Sequence, residues 1–108
     1  MGRTSRKIKF KMDLETIIQE LKIVESNLVS IKPSIECYLF GSILTNPQLA
    51  NDIDVLILYE DNRLLDIVKH EFNLLSTYYP IHLSCFTFSE QRELNFVKGQ
   101  KALKIFSL

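Results

Sequence analysis

A chain of 108 residues can enclose one hydrophobic core and is too short for two. Hydrophobic residues at 46%, charged residues at 24%, and only three Gly and three Pro give the balance of a globular domain and exclude a disordered or fibrous one. Thirteen basic and thirteen acidic side chains leave a formal net charge of zero, which removes any whole-molecule attraction to nucleic acid or to a membrane surface.

Residues 1–12 carry Arg3, Arg6, Lys7, Lys9 and Lys11 with only Ile8 and Phe10 to bury. They read as a basic N-terminal arm, a short edge strand or an appended remnant, and 13–108 as the domain proper. No hydrophobic segment follows them as a secretory signal requires, and no apolar run approaches the ~20 residues of a membrane span. A cytoplasmic address is therefore expected. Cys37 and Cys85 stand apart in apolar surroundings with no paired-Cys or Cys/His spacing, so reduced, buried thiols are expected.

From Leu14 the apolar positions Leu14, Ile17, Ile18, Leu21, Val24, Leu28 and Ile31 recur at threes and fours, a helix capped by Asp13 and stopped by Pro33. Ile35 to Phe40 reads as a strand ended by Gly41-Ser42. Ile43 to Asn51 is a connector with an Asn46-Pro47 turn. Asp52 to Tyr59 is an almost unbroken apolar run suited to a central strand covered on both faces. Glu60-Asp61-Asn62 breaks it and caps a second helix whose inner face is Leu64, Leu65, Val68, Phe72 and Leu75. Pro80 precedes a third strand, Ile81 to Phe86. Thr87-Phe88-Ser89-Glu90 fits a capping box opening a last helix that carries Leu94, Val97, Leu103, Ile105 and Phe106. The order implies an α/β (α+β) domain, a small mixed sheet flanked by helices.

Asp52 and Asp54 stand two apart on a strand, so both carboxylates leave on one face. Side by side they repel unless a cation lies between them. A hard divalent ion such as Mg²⁺, or Mn²⁺, which keeps places for waters and phosphates, is the expected partner. Gly41 lets the chain turn sharply and a ligand approach the backbone. The N–H groups and hydroxyl at Ser42 then suit a phosphate. Alone, a Gly-Ser after a strand is an ordinary turn, and an acid before a strand can cap or pair locally. In the order strand, Gly-Ser, connector, Asp-x-Asp, strand, they supply the phosphate and metal sites of nucleotidyl transfer.

The run Leu39-Phe40-Gly41-Ser42 followed by Asn51-Asp52-Ile53-Asp54-Val55-Leu56 resembles the signature of the polymerase-beta-like nucleotidyltransferase superfamily, and within it the minimal nucleotidyltransferases. The resemblance implies that Gly41 and Ser42 bind the triphosphate of a nucleotide such as ATP, and that Asp52 and Asp54 hold the metal. It further implies transfer of a nucleoside monophosphate to a hydroxyl, with a third carboxylate on a later strand activating the attacking group. At that place this chain has His82, a base but a poor Mg²⁺ ligand. Glu90 is a more distant candidate, better suited to capping. The Arg and Gly often found after the family's Gly-Ser are replaced by Ile43-Leu44-Thr45-Asn46.

An incomplete triad leaves a second reading open, a degenerate domain that only interacts. The resemblance implies for it a helical protein partner, as in the antitoxin half of a toxin–antitoxin pair. The apolar end Ile105-Phe106-Ser107-Leu108, read as helical, would be its docking surface or a homodimer seam. Lys98, Lys101 and Lys104 recur at threes there and read as a solvated face, with phosphate contact the minor alternative. His70 reads as a surface residue, and Tyr78-Tyr79 as a brace for the turn before Pro80.

Overall fold

A computed structural model describes residues 13–108; the segment read as a basic arm, 1–12, lies outside the described residues. Helix α1 (Leu14–Leu28) begins where the Asp13 carboxylate accepts the Thr16 N–H at 2.8 Å. It tightens into a 3-10 turn at Val29–Ile31 before Pro33. Strand β1 (Ile35–Phe40) leads into a single helical turn α2 (Ser42–Thr45), a 3-10 turn at Pro47–Leu49, and strand β2 (Ile53–Tyr59). Asp61 accepts the Arg63 N–H at 2.9 Å and opens a 3-10 turn ahead of helix α3 (Leu65–Ser76). Strand β3 (Ile81–Thr87) follows, then helices α4 (Phe88–Leu94) and α5 (Phe96–Gly99) and strand β4 (Leu103–Ser107).

The four strands form one mixed sheet in the order β3-β2-β1-β4. β2 runs parallel to β3 and antiparallel to β1, and β4 is antiparallel to β1. The amphipathic stripes of α1 (Ile17, Leu21, Val24, Leu28) and α3 (Leu65, Val68, Phe72) pack on one face against Cys37, Leu39, Val55 and Ile57. Tyr38, Leu56 and Leu58 emerge on the other face, under Phe88, Phe96, Val97 and Ala102 from α4, α5 and the segment before β4. The α/β expectation of a small mixed sheet between helices holds, and β2 is covered on both sides as its unbroken apolar run predicts. Among the described residues no helix is long and apolar enough to cross a membrane.

The end of the chain corrects the sequence reading. The last helix stops at Leu94, where Asn95 takes left-handed angles (φ 52) and ends α4. A second left-handed residue, Lys101, turns the chain into β4. Ile105 and Phe106, read as a helical docking face or dimer seam, are buried in the α1/α3 core at 7% and 3% exposure. A bulge in the β1–β4 ladder explains the misreading. It leaves Ile105 unpaired between Phe106↔Cys37 and Lys104↔Tyr38, so two adjacent residues point inward and the strand's period of two is broken. The lysine row dissolves as well: Lys104 lies on β4, 3.7 Å from Glu36 and 5.9 Å from the centre of the Tyr38 ring.

Both cysteines are free, Cys37 fully buried and Cys85 half-buried. Burial pushes both thiols up from their ordinary value. His70 is exposed. Tyr79 packs on the core and donates to Glu20 at 3.4 Å, the brace expected before Pro80.

Candidate active site at the Gly41–Asp54–His82 edge

Register brings three residues into one row across the sheet: Phe40 on β1 pairs with Asp54 on β2, and Asp54 pairs with His82 on β3. The Ile53 N–H donates to the Pro80 carbonyl at 2.9 Å and so pins the start of β3 to the start of β2. All three side chains lie on the face shared by Leu56 and Leu58. The His82 side chain is 70% exposed and the Asp54 carboxylate 23%, so this end of the face opens to solvent.

The Asp54 carboxylate divides its oxygens. Oδ1 lies 3.1 Å from His82 Nδ1. Oδ2 faces the turn at Gly41, where a Cβ would overlap it and stand 3.3 Å from Cγ. Gly41 has φ 81 and ψ −156, angles open essentially to glycine alone. Glycine is thus required twice here, by its angles and by the carboxylate against it. Immediately after it Ser42 starts α2, the Leu44 N–H returns to the Gly41 carbonyl at 3.1 Å, and Ile43 anchors the turn in the core. The first N–H groups of a helical turn have no partner within it, and Ser42 is exposed beside them.

Asp52 departs from the expectation in one respect. β2 begins at Ile53, so Asp52 sits in the exposed bend before the strand, not on it. Two carboxylates two residues apart at an open sheet end remain, one set rigidly by the ladder and one on the bend. Among the described residues no group of three or more His, Cys, Asp or Glu side chains could hold a metal ion by itself. Two acids fit an ion such as Mg²⁺, which takes one or two protein carboxylates and completes its shell with water and substrate phosphate.

Glu90 does not join the site. Its carboxylate accepts the Thr87 N–H at 2.8 Å while its own N–H donates to Thr87 Oγ1 at 3.0 Å, closing the capping box. That box begins five residues along β3 from His82, roughly 16 Å away at ~3.3 Å per residue. A cleft of about 570 Å³ lined by Glu60, Thr87, Phe88, Ser89 and Arg92 is at that far end too. The acids and the glycine turn lie instead at the solvent-open end of the sheet, which is marked by its chemistry.

Two features escaped the sequence reading. Phe96 stands edge-on to Phe40 (5.0 Å between centroids) and to Phe86 (5.2 Å), closing the covered part of the face next to Asp54. The direct Asp54–His82 contact is the other. His82 was placed at the site by motif position, but the contact depends on the β2–β3 register, which leaves no mark in local sequence.

A family model described as "Nucleotidyltransferase domain" matches residues 8–105, beginning inside the segment read as an arm. A search of the curated proteins found no match.

Proposed function

The chain belongs to the nucleotidyltransferase domain family, and on that premise we propose that it moves a nucleoside monophosphate from a nucleoside triphosphate, ATP for example, to a hydroxyl acceptor. Asp52 and Asp54 are the residues that would hold Mg²⁺ or Mn²⁺. The observation that carries the reading is Asp54 itself, one oxygen turned to the Gly41 backbone and the other to His82. A group bound there meets backbone N–H donors on the β1 side and an imidazole on the β3 side.

Each residue has its part. Gly41 admits the phosphates close to the backbone, and Ser42 adds a hydroxyl donor. Asp52 and Asp54 supply the negative charge that draws the metal to the phosphates; the metal, when bound, neutralises charge on the transferring phosphoryl group. His82 stands on the side from which an acceptor hydroxyl approaches, to orient it or take its proton. A helical protein partner or a second copy would supply acceptor binding.

The pair of acids without a third carboxylate favours one alternative, a site that binds the metal–nucleotide without turning it over, within an interacting protein. Loss of the expected docking helix to β4 removes one argument for that alternative.

Thermal melting separates these readings from a plain fold. Mg²⁺ alone should raise the melting temperature slightly and Mg²⁺ with ATP by several degrees, since only the native state binds. Release of pyrophosphate with a hydroxyl acceptor present then separates transfer from binding alone. An unchanged melting curve at millimolar metal and triphosphate would remove both.

A further inference from the structure

We propose that this chain pairs with a second copy of itself along the open edge of β3, strand against antiparallel strand, continuing the sheet across a twofold axis at Ser84. The pairing is independent of what binds at the Asp54 end.

The order β3-β2-β1-β4 leaves β3 and β4 as the two edges of the sheet. An edge strand presents unpaired N–H and C=O groups to any strand that reaches them, and proteins blunt such edges with short strands, bulges, charges or proline. β4 is blunted in this way. It has five residues, carries Lys104, and is bulged where it pairs with β1. β3 has none of these devices. It runs for seven residues, Ile81-His82-Leu83-Ser84-Cys85-Phe86-Thr87, without Asp, Glu, Lys, Arg or Pro, and pairs with β2 with no register shift.

Backbone bonds fix which groups of β3 are open. The Ile53 N–H donates to the Pro80 carbonyl at 2.9 Å. The even-numbered residues of β3 therefore turn their N–H and C=O groups to β2, and the odd-numbered ones turn theirs outward. At the two ends the outward N–H groups are used within the chain: Ile81 donates to the Tyr79 carbonyl at 2.8 Å, and Thr87 to the Glu90 carboxylate at 2.8 Å. Leu83 and Cys85 stand between them, their N–H groups unpaired among the described residues.

A second β3 fits those groups. Laid antiparallel and centred on Ser84, it sets Leu83 against the partner's Cys85 and Cys85 against the partner's Leu83, each pair exchanging both backbone bonds. Side chains match face to face as well. Ile81 meets the partner's Thr87 on the side of α1 and α3; on the other side His82 meets the partner's Phe86, and Ser84 meets the partner's Ser84. No like charges are set opposite one another. Both copies use the same edge, so the assembly closes at two. Pairing β3 with the partner's β4 would instead run on into a filament, and the bulge and Lys104 stand against it. In the closed pair the partner's Phe86 walls the β3 side of the Asp54 end.

Sedimentation equilibrium of the full chain at micromolar concentrations should give about twice the 12.6 kDa of one chain. Ser84→Lys and Ser84→Glu each set like charges across the axis, so each alone should weaken the dimer by about tenfold or more. An equimolar mixture of the two should restore it, which loss of folding would not allow. Ser84→Cys supplies a check that does not depend on the charged variants folding. A non-hydrogen-bonded antiparallel pair holds its Cα atoms about 4.5 Å apart, within disulfide reach, so mild oxidation should give a covalent dimer with the bond mapped between the two Cys at position 84. A wild type that stays monomeric throughout the micromolar range overturns the proposal. So does a dimer that both charged variants leave intact, one that disappears when residues 1–12 are removed, or a mass that keeps growing beyond two chains. Failure of Ser84→Cys to cross-link while the wild type dimerises rejects the Ser84-centred register and the proposal with it.

Discussion

Replacing Gly41 by alanine tests the geometry on which the site rests. Its backbone occupies φ 81 and ψ −156, a region that costs a residue with a Cβ about 1–3 kcal/mol. The new methyl group would also overlap Asp54 Oδ2 and lie 3.3 Å from Cγ, so the carboxylate must swing away from the turn. Taking the middle of the backbone range, a loss of about 2 kcal/mol corresponds to a melting temperature lower by roughly 10 °C for a domain of this size. The steric share can be isolated. In an Asp54→Ala background only the Cβ of residue 54 remains opposite, at 3.6 Å, an ordinary contact, while the backbone cost persists. Urea denaturation of the two single variants and the double variant should therefore show the double variant more stable than the sum of its parts by ~1 kcal/mol, within the range for contacting residues. Additivity to within about 0.5 kcal/mol would mean that Gly41 and Asp54 do not meet, and the shared phosphate and metal site would fall with that contact.

Three further outcomes follow from other parts of the fold. Phe106→Ala should cost ~3–5 kcal/mol in urea denaturation, because Phe106 is 3% exposed inside the core; a change below ~0.5 kcal/mol would return the chain's end to the surface. Burial raises the Cys37 thiol and the Tyr38 hydroxyl, the latter also through its 2.7 Å hydrogen bond to Glu36. Folding thus favours their protonated forms, and stability present at neutral pH should be lost as pH climbs beyond their ordinary values of 9.0 and 10.0; Cys37→Ala should flatten that fall, and an unchanged slope would count against burial as its cause. His82→Asp sets a second carboxylate beside Asp54, so the metal-free melting temperature should drop through like-charge repulsion and recover with Mg²⁺, which gains a hard oxygen ligand. Insensitivity to Mg²⁺ would show that residue 82 lies outside metal reach.

Where one face of an element was buried and its repeat unbroken, the sequence alone sufficed. The stripes of α1 and α3, the run of β2 and the capping box at Thr87–Glu90 all fold as their patterns imply. β4 escaped because its bulge puts Ile105 and Phe106 side by side on the inner face, a spacing that imitates neither strand nor loop. The helix break before it rests on Asn95 and Lys101 in left-handed angles, which non-glycine residues adopt too seldom to be foreseen. At the site, Gly41, Asp54 and His82 could be chosen by residue type and spacing, since strand ends and alternation fix which face they share. Their mutual contacts depend on strand order and register, matters of long-range packing that a local pattern does not record. Asp52 shows the same limit by one residue: the alternation carries it onto β2, whereas the ladder starts after it.

The central claim is that Asp52 and Asp54 make this edge of the sheet a metal-dependent triphosphate site. It is tested most directly by titrating ATP into the chain calorimetrically, with and without Mg²⁺, in the wild type and in the Asp52→Ala, Asp54→Ala double variant. Saturable binding that requires Mg²⁺ in the wild type and is lost in the double variant is the predicted result. Equal affinity with and without Mg²⁺, or a folded double variant that binds as the wild type does, would contradict it.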